Sequence, residues 1–271
     1  MARRHETVSF LSDYGTADEF VGVVKSVVRS IAPQALVIDV THELPPHDIR
    51  AGSLALARSV QYLAPGVVLA VVDPGVGTGR RAVAVEVGDG GEAVFVGPDN
   101  GLLAGAVAMT GGATRAVELT NREYHLEAPG PTFAGRDVFG PVAAHLCNGV
   151  ELADLGQAVD PLGLMPGILP LSRDEAGGVA AEVLWVDRYG NAQLNVDPAD
   201  IAPWGDRVVI RWGGQERIAK RAVTYGDIGP GEVALVVDSY GLVSIAADRG
   251  SAAEQLKLQP ATAVRLEPPD R

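Results

Sequence analysis

Short apolar runs alternate with stretches of helical spacing through the first half of the chain. Thr7 to Leu11 predicts a buried strand. Beyond it, Thr16 and Glu19 form a capping-box pattern, and Phe20, Val23, Val24, Val27, Val28 and Ile31 recur at the spacing of an amphipathic helix. Leu36 to Val40 reads as the next strand, and Ile49, Leu56, Val60 and Leu63 share one face of a second helix. Val67 to Val72, Ala82 to Val87 and Ala93 to Val96 follow as β pattern, then helices near Leu102 to Met109 and from Val138 to Leu146. Strands separated by helices predict a three-layer α/β domain whose largely parallel sheet is covered on both faces.

The rhythm changes after residue 162. Pro166, Gly167, Pro170, Gly177 and Gly178 punctuate a stretch that reads as a linker over 163–178. Short alternating runs follow at Ala180 to Val186, Arg207 to Trp212, Arg217 to Ala222, Val233 to Val237, Leu242 to Ala246 and Ala263 to Leu266. Gly213-Gly214 and Ser239-Tyr240-Gly241 read as hairpin turns between them, so this half predicts a small antiparallel barrel or sandwich. The expected domains are therefore 1–162 (α/β), 163–178 (linker) and 179–271 (β). No internal repeat or low-complexity segment stands out.

Composition narrows the partners. The 271 residues are 47% hydrophobic and 21% charged, which suits a folded globular chain. A formal charge of −12 argues against a nucleic-acid backbone as partner and favours a cationic small molecule. The single cysteine, Cys147, cannot close an intramolecular disulfide, and Val142, Ala143, Ala144 and Leu146 around it read as a buried helix face. Arg3 and Arg4 precede no long apolar stretch, and no run approaches the roughly 18 residues of a membrane span. The expectation is a cytoplasmic chain with no nucleic-acid or membrane partner.

Four polar clusters fall at the carboxyl ends of predicted strands, where open α/β sheets bind ligands: Ser12 to Asp18, Thr41 to Glu43, Asp73 to Arg80 and Gly97 to Gly101. Converging carboxylates could hold a cation or a polyol or activate water; equally, Asp and Gly terminate strands and cap helices wherever they occur. The glycine-rich loop Gly75 to Gly79 does not fit a phosphate loop, since Arg80-Arg81 leads into β pattern rather than a helix. His5, His42, His47, His125 and His145 show no zinc-type spacing. Asp137, in Pro131 to Asp137, reads either as chemistry or as the first-turn acid of the following helix. Asp187-Arg188-Tyr189-Gly190-Asn191 ends a strand with a carboxylate, an aromatic and an amide, and Tyr225 and Ser239-Tyr240 add two aromatics and a hydroxyl. Tyrosines at a barrel edge are more often packing than ligand stacking.

Taken in order, Phe10-Leu11-Ser12-Asp13-Tyr14-Gly15, Asp73-Pro74-Gly75-Val76-Gly77-Thr78, Pro98-Asp99-Asn100-Gly101-Leu102-Leu103, Thr132-Phe133-x-Gly135-Arg136-Asp137 and Asp187-Arg188-Tyr189-Gly190-Asn191 resemble the S-adenosyl-L-methionine hydroxide adenosyltransferase family. That family is related to halide-using enzymes acting on the same substrate. The resemblance implies an α/β domain followed by a β-barrel, a homotrimer with active sites between subunits, and S-adenosyl-L-methionine as substrate with no cofactor. By matching position, Asp13 would hold the ribose hydroxyls, and Asp18, Asp187 and Ser239 the amino-acid end. Asn191 would read the adenine edge, with Tyr189 and Tyr225 flanking the ring and Tyr240 beside Ser239. His47 takes a position near the substrate that is aromatic in the fluorinating relative. Asp73 and Arg80 would act with a histidine to position water for in-line displacement at the ribose C5′.

The chain departs from that pattern at one position: the expected histidine is Ala134. The resemblance therefore implies a hydrolase forming adenosine and methionine with impaired turnover. The alternatives are a binding protein that does no chemistry and, ranked last because of Asp73 and Arg80, a halide-using 5′-halo-5′-deoxyadenosine synthase.

Overall fold

The computed structural model describes residues 5–88 and 92–269; Arg3 and Arg4 lie outside them. Two compact units divide the chain, Met1–Ile168 and Leu169–Arg271.

The first unit runs β1 (Thr7–Ser12), α1 (Phe20–Ile31), β2 (Leu36–Thr41), α2 (Ile49–Ser59), β3 (Gly66–Val71), β4 (Ala82–Val87), β5 (Ala93–Pro98), α3 (Ala104–Met109), β6 (Ala113–Glu118), α4 (Gly140–Cys147) and β7 (Gln157–Val159). Its sheet has the order β2-β1-β3-β5-β4-β6-β7. The first four strands pair in parallel, and β4, β6 and β7 complete the sheet with antiparallel pairings. β3 is buried along its whole length, which is why it reads as an uninterrupted apolar run. One face packs against α1 and α4 through Val24, Val28, Val142 and Leu146, and the other against α2 and α3 through Leu56 and Ala106, with Leu102 just ahead of α3. Cys147 is fully buried, and burial pushes its thiol up to about 12.

Two local expectations are corrected. The Thr16/Glu19 capping box does not form: α1 begins at Phe20 with Glu19 itself at the N-cap, and the Thr16 hydroxyl instead donates to Glu43 Oε1 at 2.7 Å. The helix expected from Val138 starts as a π-turn over Gly135–Phe139 and becomes α-helical at Gly140. Asp137 lies in the first turn of this continuous helix, as the first-turn reading has it, and Arg136 pairs with it there.

The second unit contains β8 (Arg173–Glu175), β9 (Gly178–Val186), β10 (Ala192–Leu194), α5 (Pro198–Ile201), β11 (Arg207–Trp212), β12 (Gln215–Arg221), β13 (Val233–Val237), β14 (Val243–Ala247), α6 (Ala252–Leu256) and β15 (Ala263–Glu267). Pairing follows β10-β14-β13-β12-β11-β15-β9, and a further β9–β10 pairing closes these strands into a barrel with β8 appended to β9. Closure removes the sheet edges that a sandwich would expose. All pairings are antiparallel except β12–β13. Gly213 and Gly214 have φ of 49° and 77°, as a two-residue hairpin twisted with its strands demands, and Trp212 pairs across it with Gln215. Val183, Leu194, Ile210, Ile245 and Leu266 fill the interior, and Trp212 Nε1 donates to Leu256 O at 2.7 Å.

Candidate active site

Because β1, β2, β3 and β5 run in parallel, the four polar clusters read from the sequence leave the sheet at a single edge. Hydrogen bonds stitch the first two loops together. His47 N donates to Asp13 Oδ2 at 2.8 Å, and Gly15 N donates to His42 O at 2.8 Å. Beneath them the buried Ser12 hydroxyl meets His42 Nδ1 at 2.7 Å, while His42 Nε2 meets Asp39 Oδ1 at 3.1 Å. His47 holds a left-handed backbone, φ 68°, which a non-glycine residue adopts at a cost and which the bond to Asp13 helps maintain. Asp18 is exposed in the loop before α1. The loops after β3 and β5 are also joined, since Asn100 Nδ2 donates to Val72 O at 2.9 Å.

The loop from Asp73 to Arg80 folds back on itself. Val76 N donates to Asp73 O, Thr78 Oγ1 donates to Gly75 O at 2.7 Å, and Gly77 takes φ 78°. These turns return Arg80 to Asp73, and β4 rather than a helix follows, as expected for a loop that is not a phosphate cradle. Arg80 Nε donates to Asp73 Oδ1 at 3.0 Å and Nη2 donates to Oδ2, a fork in which the Asp73 side chain is 5% exposed and that of Arg80 13%. Arg80 Nη1 donates to Arg81 O at 3.0 Å, and the guanidinium lies 5.4 Å above the Phe139 ring. Burial raises the Asp73 carboxyl above the ordinary range; Arg80 pulls it back down, and the charge of Asp13 pushes it up. Arg81 forms a second pair alongside, with Asp99, whose other oxygen accepts from Met165 N.

The Thr132 to Asp137 segment faces the same region. Phe133 packs edge-on to Tyr14 at 5.6 Å and to Phe20 at 5.2 Å, and Ala134 is half-buried at the start of the π-turn. An open cleft of 620 Å³ runs along Tyr14, Phe20, Thr132, Phe133 and Arg136. In the sequence Tyr14 stands only as part of a motif, yet it links the pieces. Burial and then the charges of Asp13, Asp73 and Asp137 all raise its hydroxyl pKa. A side chain at Gly135 would collide with that hydroxyl, which accounts for glycine there. Asp13, Tyr14, Asp73, Arg80 and the turn beginning at Ala134 therefore form one group in the first unit.

The remaining candidates lie in the second unit, on two turns of the barrel. Asp187 Oδ1 accepts from Tyr189 N and Asn191 N, both at 2.8 Å, and Oδ2 accepts from Asn191 Nδ2 at 2.7 Å. Its carboxylate thus holds the β9–β10 turn and orients the Asn191 amide. Asp238, which sequence reasoning passed over, does the same for the β13–β14 turn: Oδ1 accepts from Tyr240 N and Leu242 N, and Oδ2 from Gln193 Nε2 and Ser244 Oγ. The missed signal was a short echo, Asp-x-Tyr-Gly, spelled at Asp187 and again at Asp238 with both glycines at positive φ. Tyr189, Tyr225 and Tyr240 are exposed, as is Ser239, whereas Asn191 is buried. Burial and then the charges of Asp187 and Asp238 raise the Tyr225 hydroxyl, so both turns act on one phenol. Among the described residues no group of three or more His, Cys, Asp or Glu is arranged to hold a metal ion, and no helix is long and apolar enough to cross a membrane.

Comparison with known proteins gives the same picture. Residues 8–156 match the SAM hydroxide adenosyltransferase N-terminal domain and residues 181–265 its C-terminal domain. The chain is 47% identical over 259 residues to the (R)-S-adenosyl-L-methionine hydrolase of Salinispora tropica, covering 96% of this chain and 97% of that protein. It is 41% identical to the protein of the same name from Thermus thermophilus, covering 96% and 98%, and 27% identical to a fluorinase of an Actinoplanes species, covering 90% and 92%. The crystal structure of an uncharacterized conserved protein from Thermotoga maritima superposes with a TM-score of 0.88 at 34% identity, covering 96% of this chain and 99% of that one. Two matched domains and relatives aligned along nearly the full length mean that this chain belongs to the S-adenosyl-L-methionine hydroxide adenosyltransferase family.

Proposed function

We propose that this chain hydrolyses S-adenosyl-L-methionine to adenosine and L-methionine. The observation that carries the reading is the buried Asp73–Arg80 fork on the same sheet edge as Asp13. Asp13 Oδ2 is engaged by His47 N, and the carboxylate has lone pairs left for ribose hydroxyls. Water attacks C5′ in line; the new C–O bond forms as the C5′–S bond breaks, and the electron pair leaves on sulfur as the neutral thioether of methionine. Asp73, whose carboxyl burial raises, accepts a hydrogen bond from the water and takes up its proton as the bond forms. Arg80 fixes that carboxylate. The sulfonium is already a good leaving group, so positioning and desolvation supply much of the acceleration.

On this reading Asp18 and Ser239 bind the amino-acid end beside Tyr240, Asn191 reads the adenine edge, and Tyr189 and Tyr225 flank the ring. Asp187 acts there mainly by holding Asn191. His47 closes the edge beside Asp13. The enzyme needs no cofactor and works in the cytoplasm as a homotrimer, with the α/β domain of one subunit and the barrel domain of another completing each site.

Ala134 favours a second reading, a protein that binds the nucleoside and turns it over at a negligible rate. One experiment separates the two: incubate the chain and its Ala134→His variant with S-adenosyl-L-methionine and quantify adenosine and methionine. Loss of a positioned acid or base costs about 10²–10⁴-fold, so restoring the imidazole should raise kcat substantially towards that range. Binding without product in both proteins would establish the second reading, and a chloride-dependent 5′-halo product would replace both.

A further inference from the structure

The hydroxyl of Tyr14 has no assigned task, although its surroundings are specific. It lies against the backbone of Gly135, next to the alanine where the family pattern has an imidazole. The ring is fixed on three sides, with Phe10 at 6.5 Å, Phe20 at 5.9 Å and Phe133 at 5.6 Å. Burial, and then the charges of Asp13, Asp73 and Asp137, raise the phenol, while the Gly135 backbone N–H donates to its oxygen and lowers it, which leaves the hydroxyl proton to be donated elsewhere. A protonated phenol in such a place is a donor that seeks an acceptor. The nearby carboxylates are each oriented by a partner of their own: Asp73 by Arg80, Asp137 by Arg136, and Asp13 by His47 N.

We propose that the Tyr14 hydroxyl is a further catalytic group of the hydrolysis, donating a hydrogen bond to the attacking water beside Asp73 in the room left by the small side chain of Ala134. This rests on the hydrolase reading. Asp73 accepts from the water and Tyr14 donates to it, so the oxygen is held from two directions and its remaining lone pair is aimed. The phenol proton stays on Tyr14 throughout, and the proton lost by water goes to Asp73. An imidazole at 134 would occupy the same space and take over this task. The division of labour explains how a chain without the histidine keeps an intact site around it.

The test is a four-protein cycle: parent, Tyr14→Phe, Ala134→His and the double variant, each assayed for adenosine release with kcat and KM separated. Phenylalanine keeps the ring contacts, so a melting curve matching the parent shows that the fold is preserved. In the Ala134 background Tyr14→Phe should lower kcat about tenfold with KM little changed, the loss of about one hydrogen bond made in the transition state. In the Ala134→His background the effect should largely disappear. Gly135→Ala offers a second route, since it displaces the hydroxyl without altering Tyr14, and should lower kcat in the same way. Equal losses in both backgrounds, or a change in KM alone, would assign Tyr14 to packing and overturn the proposal. If Ala134→His releases adenosine and Tyr14→Phe matches its parent throughout, only the role of Tyr14 fails. If none of the four proteins releases adenosine while all bind the ligand, the hydrolase reading fails and the proposal falls with it.

Discussion

Replacing Arg80 by alanine tests the electrostatic centre of the site without reference to turnover. Asp73 and Arg80 are 5% and 13% exposed at their side chains, so the pair is not screened as a surface bridge would be. Removing one partner of a buried pair leaves an uncompensated charge and costs about 3–5 kcal/mol. At about 2–4 °C per kcal/mol for a unit of this size, the Tm of the first unit should fall by about 6–20 °C. The loss should also depend on pH. Arg80 supplies the two strongest influences that lower the Asp73 carboxyl, and without them burial and Asp13 raise it further. An acid whose folded pKa lies above its unfolded value binds more protons when folded, so its stability contribution falls as pH rises from the ordinary carboxylate range through the folded pKa. Arg80→Ala should therefore be closer to the parent at pH 5 than at pH 8, and Arg80→Lys, which keeps the charge but not the fork, should lie between them. Chemical denaturation of the three proteins at both pH values decides it. A deficit of the same size at pH 5 and pH 8 would mean that Asp73 is not the group left uncompensated, and no deficit at pH 8 would mean that the pair is not buried.

Two further outcomes follow from packing. Gly135→Ala should destabilise the first unit by about 1–3 kcal/mol through collision with the Tyr14 hydroxyl, and adding Tyr14→Phe should recover much of the loss in the same denaturation assay. Cys147, fully buried with its thiol raised to about 12, should resist a thiol reagent in the native protein and react stoichiometrically once the chain is unfolded; rapid native labelling would contradict the packing of α4.

The sheet edge was legible because parallel strands buried on both faces write themselves as apolar runs, and each such run ends where polar residues begin. Val67 to Val72 followed by Asp73 is the plainest case, and the parallel pairing of β1, β2, β3 and β5 then brings four such ends together. The elements missed were those without a run to read. β6 carries Thr114, Arg115 and Glu118 on a strand near the sheet margin, while β7, β8 and β10 are three residues each. The Thr16/Glu19 pattern misled because a capping box specifies spacing and not which residue starts the helix. The surroundings of Tyr14 were invisible in the sequence because they are assembled from three separate segments.

The arrangement of Asp73 also bears on the choice between water and halide. An isolated anionic Asp73 would repel an incoming halide, but Arg80 is bound to it, and the pair seen from a distance is a dipole rather than a net charge. On the proposed reading the discrimination then comes from hydrogen bonding. Arg80 occupies one site on each carboxylate oxygen and the Gly75 backbone N–H a third, which leaves one acceptor site. That site favours a nucleophile that carries protons and gives nothing to a bare anion, which would have to shed its hydration for no return. On the proposed hydrolase reading such a site selects water because water is a donor, and Asp73→Asn, which keeps the shape but turns one acceptor into a donor, should remove that preference at its source.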